Sequence, residues 1–302
     1  MMATPHKINR SRFYFEWKGH QIQDIGTFHA ITTGRRLNKP IVYLAGDSSL
    51  DNKYWVPSDG ELRVEVPEIY KHTLDKPTPK HDVAFWMNHF LGDRATCINT
   101  AVEESMLRER DQDLLSHDEF IRDNIRPVDV LIVSVGANDI ALRPLPCTIR
   151  HMLQLAWTTP RSSLENGTAW SLEYFKDMFG PKIQSYVERM TAKTRPQTVI
   201  ICMIYFPLEG GLGQQSWADT QLKALGYNTW PGQLQAAIRT LYRMATQNIK
   251  VSGTKVVPCA LHEVLDGKVA KDYTARVEPN EEGGKKIAQK FAELLDGTLS
   301  VG

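Results

Sequence analysis

The sequence predicts a three-layer α/β fold, in which a five-stranded parallel sheet is covered by helices on both faces. Two observations predict it. Five short apolar runs are separated by longer mixed segments, and several of those segments have helical periodicity. The central runs are apolar at almost every position, which is typical of strands buried on both faces. Because strands that alternate with helices indicate a parallel sheet, we expect one compact domain.

Each apolar run is predicted to be one strand. The runs are IVYLA (41–45), TCIN (96–99), DVLIVSV (129–135), TVIICMIY (198–205) and TKVVPC (254–259). Helical patterns occupy residues 82–92, 101–125, 169–193, 231–250 and 279–297. Two further regions do not fit this alternation. Residues 1–38 form an N-terminal extension whose strand-like pattern, broken at Lys18-Gly19, predicts a β-hairpin. Within the main domain, residues 39–302, the Gly-, Trp- and Pro-rich stretch 206–231 predicts an irregular loop insertion.

The composition argues against several function classes. Lys and Arg total 36 and Asp and Glu total 35, so no net charge favours nucleic acid or an anionic membrane surface. No stretch has the roughly 20 apolar residues that span a bilayer, and the N-terminus lacks the apolar core of a signal peptide. The four cysteines are scattered without CxxC spacing, which favours a reduced, cytoplasmic protein. No metal-ligand or nucleotide-binding motif is present, so we expect no metal and no cofactor.

Polar residues follow the first and third predicted strands directly. The first strand ends in GDSS (46–49) and the third in GAND (136–139). Ligands bind at the carboxyl ends of parallel strands, and Ser48 is expected near the N-terminus of the next helix, where free N–H groups favour an anion. The Asn138 amide at the same edge would stabilise an oxyanion. Each turn also has a purely structural interpretation, as a helix cap or a local side-chain turn.

These two segments resemble the blocks of the SGNH hydrolases, also called the GDSL esterase/lipase family. The resemblance implies a flavodoxin-like three-layer fold and hydrolysis of esters, thioesters, acetylated sugars or phospholipids through a serine acyl-enzyme. It also implies that Ser48 is the nucleophile, with its own N–H in the oxyanion hole, and that Asn138 is the side-chain donor. The glycine that normally supplies a further N–H is absent from CINTAVEES (97–105), so Ala101 or Thr100 is expected to replace it.

The catalytic base is where the chain departs from the family. The family places Asp-x-x-His before a proline and the last helix, whereas here Glu278 occupies the histidine position and Ala275 the aspartate position. The ordinary pKa of Glu is about two units below that of His, so Glu278 needs burial to become an effective base. Arg276 would oppose that shift if the two side chains met. Asp272 is the nearest upstream acid and is expected to assist Glu278.

Three interpretations follow from this departure. In the first, Glu278 is the base of an unusual serine esterase, acyl hydrolase or acyltransferase. In the second, His262, just after the fifth strand, is the alternative base. In the third, the protein is a catalytically degenerate ligand-binding protein or a non-hydrolytic lyase or isomerase, with Asp47 and Arg276 among the groups that bind a polar ligand. All three interpretations predict a small-molecule partner.

Two further groups of residues have sequence patterns that fit a structural role as well as, or better than, a functional one. Trp217, Tyr227 and Trp230 in the 206–231 segment either line an apolar substrate pocket or anchor that segment to the domain. Glu103 and Glu104 are interpreted as favourable charge at the start of a helix.

Overall fold

A five-stranded parallel sheet forms the core of the computed structural model, which describes residues 6–58 and 64–299. The strands are β1 (Ile41–Gly46), β2 (Thr96–Asn99), β3 (Val130–Ser134), β4 (Thr198–Met203) and β5 (Lys255–Ala260). Their order is β2-β1-β3-β4-β5, with every neighbouring pair parallel. This is the flavodoxin-like order. The predicted fold class is therefore confirmed.

Helices surround this sheet along the whole described chain. They are α1 (Arg10–Phe15), α2 (Ile22–Arg35), α3 (Glu68–Thr73), α4 (Val83–Leu91), α5 (Ser116–Asn124), α6 (Ala137–Ala141), α7 (Pro146–Leu153), α8 (Arg161–Glu165), α9 (Leu172–Asp177), α10 (Ile183–Met190), α11 (Asp219–Ala224), α12 (Pro231–Met244) and α13 (Glu281–Leu295). A π-helical turn, Met178–Lys182, joins α9 to α10. None of the described helices has the length and hydrophobicity of a membrane-spanning segment.

The central strands are buried on both faces, as their apolar sequences predict. Every residue of β1, β3 and β4 is buried. Because successive side chains of a strand point to opposite faces, such runs require helices on both sides of the sheet. The carboxyl ends of β1 and β3 lie side by side, since Gly46 pairs with Ser134. The turns that follow these two strands therefore meet at the same edge of the sheet.

The predicted N-terminal β-hairpin is wrong, because residues 10–15 form α1 and residues 22–35 form α2. Ile25, Phe28 and Ile31 are all buried and recur at helical spacing, which outweighs the strand-like alternation before them. Gly19 does form a turn, with φ of 72°, but the turn connects two helices. The two helices pack on the same hydrophobic core as the sheet. The described part of the N-terminal extension is thus integral to the domain.

The predicted helix at 101–125 is present only in its second half, as α5. Residues Leu107–Arg110 form a single 3-10 turn, and the residues before it form an irregular turn. The first two N–H groups of the 3-10 turn donate to the Asp139 carboxylate, at 2.6 and 3.1 Å. This cap fixes the start of the 3-10 turn beside the end of β3. Glu103 and Glu104 therefore lie in a turn at the edge of the sheet, and not at the start of a helix.

We expect Gly46 to be required for the close pairing of β1 and β3 at this edge of the sheet. Its φ is 134°, and a Cβ there would lie 1.7 Å from the Ser134 carbonyl oxygen. We expect Gly46→Ala to lower the free energy of unfolding by about 3–4 kcal/mol in urea denaturation. Gly34→Ala is the matched control, because a Cβ at Gly34 in α2 meets nothing within 4 Å. It should change stability by no more than about 1 kcal/mol, in the stabilising direction. Equal effects of the two substitutions would contradict the close approach of β1 and β3.

Candidate active site

Ser48 lies in the tight turn that follows β1. The Asp47 N–H donates to the Ser134 carbonyl at 3.0 Å, and the Asp47 carbonyl accepts from the N–H groups of Leu50 and Asp51 at 3.1 and 3.0 Å. These bonds form a single helical turn that contains Ser48. No longer helix begins there in the described chain, so the expected helix N-terminus at Ser48 is wrong. The Ser48 N–H has no hydrogen-bond partner within the described residues, which leaves it free to donate to a ligand.

The Asp47 carboxyl group holds this turn in place. Its Oδ1 accepts from the backbone N–H of Ser49 at 3.1 Å and from the Ser49 hydroxyl at 2.7 Å. Burial raises the pKa of Asp47 to about 6, against the opposing effect of these two hydrogen bonds. Its Oδ2 is buried without a partner in the described structure, and the residue lines the same cavity as Ser48. A contact of Asp47 with substrate therefore stays a prediction.

Asn138 lies beside Ser48 at this edge of the sheet, in the first turn of α6, which follows β3. Gly136, with φ of 113°, redirects the chain so that α6 starts at the edge of the sheet. The Asn138 amide donates one hydrogen bond to the Ser105 carbonyl at 3.1 Å, which fixes its orientation. Asn138 and Ser48 line the same cavities. The structure thus brings together the two residues that the sequence motifs predict to act together.

Glu278 faces Ser48 from a short hairpin near the C-terminus. The hairpin pairs β6 (Tyr273–Thr274) with β7 (Glu278–Pro279). Its turn residues Ala275 and Arg276 have φ of 50° and 62°, a left-handed conformation that is uncommon for residues other than glycine. The Tyr205 hydroxyl donates to the Val277 carbonyl at 2.6 Å and ties the hairpin to the end of β4. The glutamate is therefore presented from a strained turn held by buried contacts.

The environment of Glu278 suits a base that works near neutral pH. The side chain is buried, and this desolvation raises the pKa of Glu278 to about 7. The Trp217 indole N–H donates to Glu278 Oε1 at 3.2 Å, and both this bond and a contact with the Ser48 hydroxyl oppose the rise. Nearby Asp47 adds to it. Glu278 Oε2 is buried with no hydrogen-bond partner in the described structure, so an acceptor oxygen remains available.

A second buried carboxyl group, that of Glu103, lies near Glu278. The Trp55 indole N–H donates to Glu103 Oε1 at 3.1 Å, and Glu103 Oε2 has no partner in the described part of the chain. Burial and the proximity of Glu278 and Asp51 raise the pKa of Glu103 to about 10. When two carboxyl groups share one site, the first proton leaves the group that ionises more easily. Glu103 therefore stays protonated at neutral pH, and Glu278 is the member that can ionise.

Neither Ala101 nor Thr100 can supply the oxyanion-hole N–H, so that prediction is wrong. The Ala101 N–H donates to Asn99 Oδ1 and the Thr100 N–H to the Leu44 carbonyl, both at 3.0 Å. The structure offers Glu104 in their place. Its φ of 59° is one that glycine favours, and it lines the outer cleft together with Ser48 and Asn138. Its N–H has no partner within the described residues.

Asp272 does not assist Glu278, contrary to prediction. Its Oδ2 accepts from the Lys286 ammonium group at 2.5 Å, and the residue does not line either cavity that contains Ser48. A buried carboxylate paired with a lysine is a structural ion pair, here between the turn that precedes β6 and α13. Within the described structure, the carboxyl groups that influence the Glu278 pKa are those of Asp47, Glu103 and Glu104.

Arg276 is also misassigned as a substrate-binding residue. Its guanidinium group donates to Asp219 Oδ1 at 2.6 Å, to Asn228 Oδ1 at 2.8 Å and to the Leu208 carbonyl. All three partners belong to the 206–231 segment, which contains α11 within otherwise irregular chain. Because the turn reverses the backbone at Arg276, its side chain points away from Glu278 in spite of the spacing of two residues. Arg276 therefore anchors the segment that carries Trp217.

His262 and Trp230 lie away from Ser48, and both predictions are wrong. The His262 ring packs against Phe206, with ring centroids 5.2 Å apart, and neither cavity that contains Ser48 is lined by it. Burial and the nearby Arg239 lower the pKa of His262 to about 4, which also makes it a weak base. Trp230 is 65% exposed and contacts Trp157. Trp217 alone of the predicted loop aromatics lines the Ser48 site.

Two cavities meet at Ser48. Four residues line both of them: Ser48, Asn138, Trp217 and Glu278. The inner cavity extends between α7, α9 and α12 and has a volume of about 130 Å³. The outer cleft, of about 450 Å³, has aromatic and acidic walls that include Trp55 and Glu103. A substrate whose reacting atom lies at Ser48 could therefore extend in both directions.

Glu103 and Glu104 line the outer cleft but were not predicted as site residues. A buried ion pair between Asp51 and Lys53, at 2.6 Å, supports this part of the site. Asp51 Oδ2 accepts from the Glu103 N–H at 2.9 Å and so fixes the turn. The available signal was the position of both acids four and five residues after the end of β2, at the edge where Ser48 and Asn138 also lie.

Comparisons with known proteins identify solved structures of low sequence identity. No protein-family model and no curated protein matches the chain. Matching structures include an extracellular lipase from Streptomyces rimosus (10% identity, TM-score 0.46), the carbohydrate acetylesterase Est24 from Sinorhizobium meliloti (11%, 0.44) and an aryl esterase from M. smegmatis (11%, 0.43). Each match covers 86% of this chain and 99% of the solved chain. The chemistry of this chain is therefore inferred from its own residues.

Proposed function

We propose that this protein is a serine esterase in which Ser48 is the nucleophile and Glu278 replaces histidine as the general base. The observation that carries the proposal is that Ser48 and the buried Glu278 carboxyl group line the same two cavities, where burial raises the pKa of Glu278 to about 7 and the nearby Ser48 hydroxyl opposes that rise. A serine hydroxyl is a poor nucleophile until a neighbouring group takes its proton. A base with a pKa near the working pH is the most effective group for that transfer.

The reaction proceeds in two halves. The Glu278 carboxylate takes the Ser48 proton while Oγ attacks the ester carbonyl carbon, and the protonated Glu278 then delivers that proton to the departing alkoxide. This leaves the acyl group on Ser48. In the second half, Glu278 takes a proton from water, the water oxygen attacks the acyl carbon, and the proton returns to Ser48 Oγ as the carboxylic acid leaves. Each half uses the same carboxyl group first as a base and then as an acid.

Three donors are proposed to form the oxyanion hole. They are the N–H groups of Ser48 and Glu104, which have no partners in the described structure, and the side-chain amide of Asn138. The amide still has a second N–H after it donates to the Ser105 carbonyl. Donors held in place before the reaction stabilise the negative charge that develops on the carbonyl oxygen. This arrangement favours the transition state over the bound ester.

A fluorophosphonate probe tests the proposal directly. The purified protein is incubated with the probe at pH 8, and the adduct is located by peptide mass spectrometry. We expect one adduct per chain, on Ser48, together with hydrolysis of p-nitrophenyl esters that the adduct abolishes. A protein that only binds a ligand would give neither adduct nor hydrolysis. An adduct on another serine would contradict the assignment of the nucleophile.

The paired carboxyl groups support a second candidate function. Glu103 holds a proton at neutral pH while Glu278 can accept one, which is an arrangement suited to acid–base catalysis of a lyase or isomerase reaction. Such an enzyme would not require the Ser48 hydroxyl. Failure of the probe to label Ser48, combined with ligand turnover that needs Glu103, would favour this candidate over the esterase.

Asn138→Ala is expected to slow ester hydrolysis by a factor of about 10² to 10³, mainly in kcat, because one oxyanion donor is lost. The matched control is Asn124→Ala in α5, since Asn124 also donates to a backbone carbonyl, that of Phe120 at 2.9 Å, but lies away from the site. The control should keep wild-type kcat in steady-state assays. Equal kcat in the two variants would remove Asn138 from the oxyanion hole.

A further inference from the structure

We propose that the inner cavity binds the acyl chain of the substrate and that this chain is an apolar group of about six carbons. The inference rests on the proposed serine esterase function and specifies its substrate class. It follows from the lining, the size and the direction of the cavity.

The inner cavity is mostly apolar beyond Ser48. Phe175 and Phe179 on one side and Ile238 and Leu241 on α12 are each no more than 3% exposed, and all four line the cavity. Among the described residues, the only charged side chains in its lining are those of Asp47 and Glu278, which stand beside Ser48. The lining also holds two glutamines, Gln221 and Gln233, but it offers no charged partner beyond Ser48, and an aliphatic or aryl group gains most from leaving water in such surroundings.

The size of the cavity limits the length of the chain. Its volume is about 130 Å³. Apolar cavities of roughly 150 Å³ in proteins stay dry and take up a molecule the size of benzene. A group of about six carbons therefore fills this cavity, while a chain of ten or more carbons exceeds it.

The difference in solvent exposure between the two cavities indicates which one binds the acyl group and which one binds the alcohol. The outer cleft has Trp17 and Tyr54 in its wall, at 44% and 60% exposed, so it opens to solvent. The leaving alcohol must depart and water must reach the acyl-enzyme, and both steps need the open side. The acyl group stays bonded to Ser48 until the final step, so it alone can occupy a buried cavity throughout the reaction.

Two ester series test the assignment. In p-nitrophenyl esters from acetate to decanoate, kcat/KM is expected to rise roughly fourfold per methylene up to six carbons and to fall beyond eight. In acetate esters of alcohols of increasing length, kcat/KM should change little, because the outer cleft is open. A rise with alcohol length and none with acyl length would reverse the two sides and overturn the proposal.

Cavity variants give the decisive comparison, the ratio of kcat/KM for hexanoate and acetate esters. Ala237, 2% exposed on α12, lines the inner cavity, and Ala237→Phe should lower this ratio at least tenfold. Ile238→Ala should move the preferred acyl chain to more than six carbons. The matched control is Ala224→Phe at the exposed end of α11, outside the cavity lining, which should keep the wild-type ratio.

The outcomes separate this inference from the proposed function. If Ser48 is labelled and acetate esters are hydrolysed but the ratio is the same in wild type and Ala237→Phe, the acyl assignment is wrong and the esterase stands. If Ser48 is not labelled and no ester of either series is hydrolysed, both are wrong. Thermal unfolding of each variant shows whether a lost activity reflects a lost fold.

Discussion

Ser48→Ala is expected to abolish fluorophosphonate labelling and to lower kcat/KM for ester hydrolysis by a factor of about 10⁴ or more. The reason is that no acyl-enzyme can form without the hydroxyl, and only binding and oxyanion stabilisation remain. The effect should lie in kcat, with little change in the thermal midpoint, because the removed hydroxyl has no partner other than Glu278 in the described structure.

The neighbouring serine gives the matched control for this substitution. The Ser49 hydroxyl donates to Asp47 and also contacts the Ser134 hydroxyl, both at 2.7 Å. Ser49→Ala should therefore loosen the turn and reduce kcat by no more than about tenfold, while Ser48 remains labelled. If Ser48→Ala kept its hydrolytic activity and Ser49→Ala lost it, the nucleophile would have to be reassigned.

Glu278→Gln is expected to lower kcat by a factor of about 10² to 10⁴ at pH 8, because the amide cannot accept the Ser48 proton. The same substitution should stabilise the protein. The folded-state pKa of Glu278 is raised to about 7 from an ordinary value of 4.5, so its stabilising contribution is fully present below about pH 4.5 and is lost as the pH rises through 7. Removal of that buried charge should add up to about 3 kcal/mol at pH 8, measured by urea denaturation.

Glu103→Gln is the control, since it makes the same change in an equally buried carboxyl group of the same cleft. Glu103 is protonated at neutral pH, so a neutral amide resembles it and can still accept from Trp55. We expect nearly wild-type kcat and stability at pH 8. A variant pair with the opposite pattern, in which only Glu103→Gln lost activity, would favour the lyase or isomerase alternative.

The sequence predicts the sheet well because its signals are local. Strands buried on both faces must be apolar along their whole length, and β1 and β3 are followed directly by the polar residues of the site. Ser48 and Asn138 could therefore be placed at one edge before any contact was known, whereas Glu278 was placed there only through the resemblance to the SGNH hydrolases. The N-terminal helices were missed because a short alternating stretch before Gly19 resembles a strand, whereas the helical spacing from Ile25 to Ile31 decides the outcome.

The partners of the site residues could not be predicted, because they depend on side-chain direction and on contacts distant in sequence. Arg276 is two residues from Glu278, but the left-handed turn sends it to Asp219 and Asn228. Asp272 is also close to Glu278 in sequence, but its carboxylate pairs with Lys286. The positive φ of Glu104 and its place in the outer cleft depend on the path of the chain after β2, which no local sequence pattern indicates.

The most direct test of the central claim is the rate at which a fluorophosphonate labels Ser48 between about pH 5 and pH 9, in wild type and in Glu278→Gln. Because only the ionised carboxyl group can take the Ser48 proton, the wild-type rate should fall as the pH drops through about 7. In Glu278→Gln the labelling rate should be low and should not change as the pH passes through 7. Any effect of Asp47 on the rate should remain in this variant, at the pKa of about 6 to which burial raises that group. An unchanged rate and an unchanged pH profile in Glu278→Gln would contradict the account and assign the base to another group.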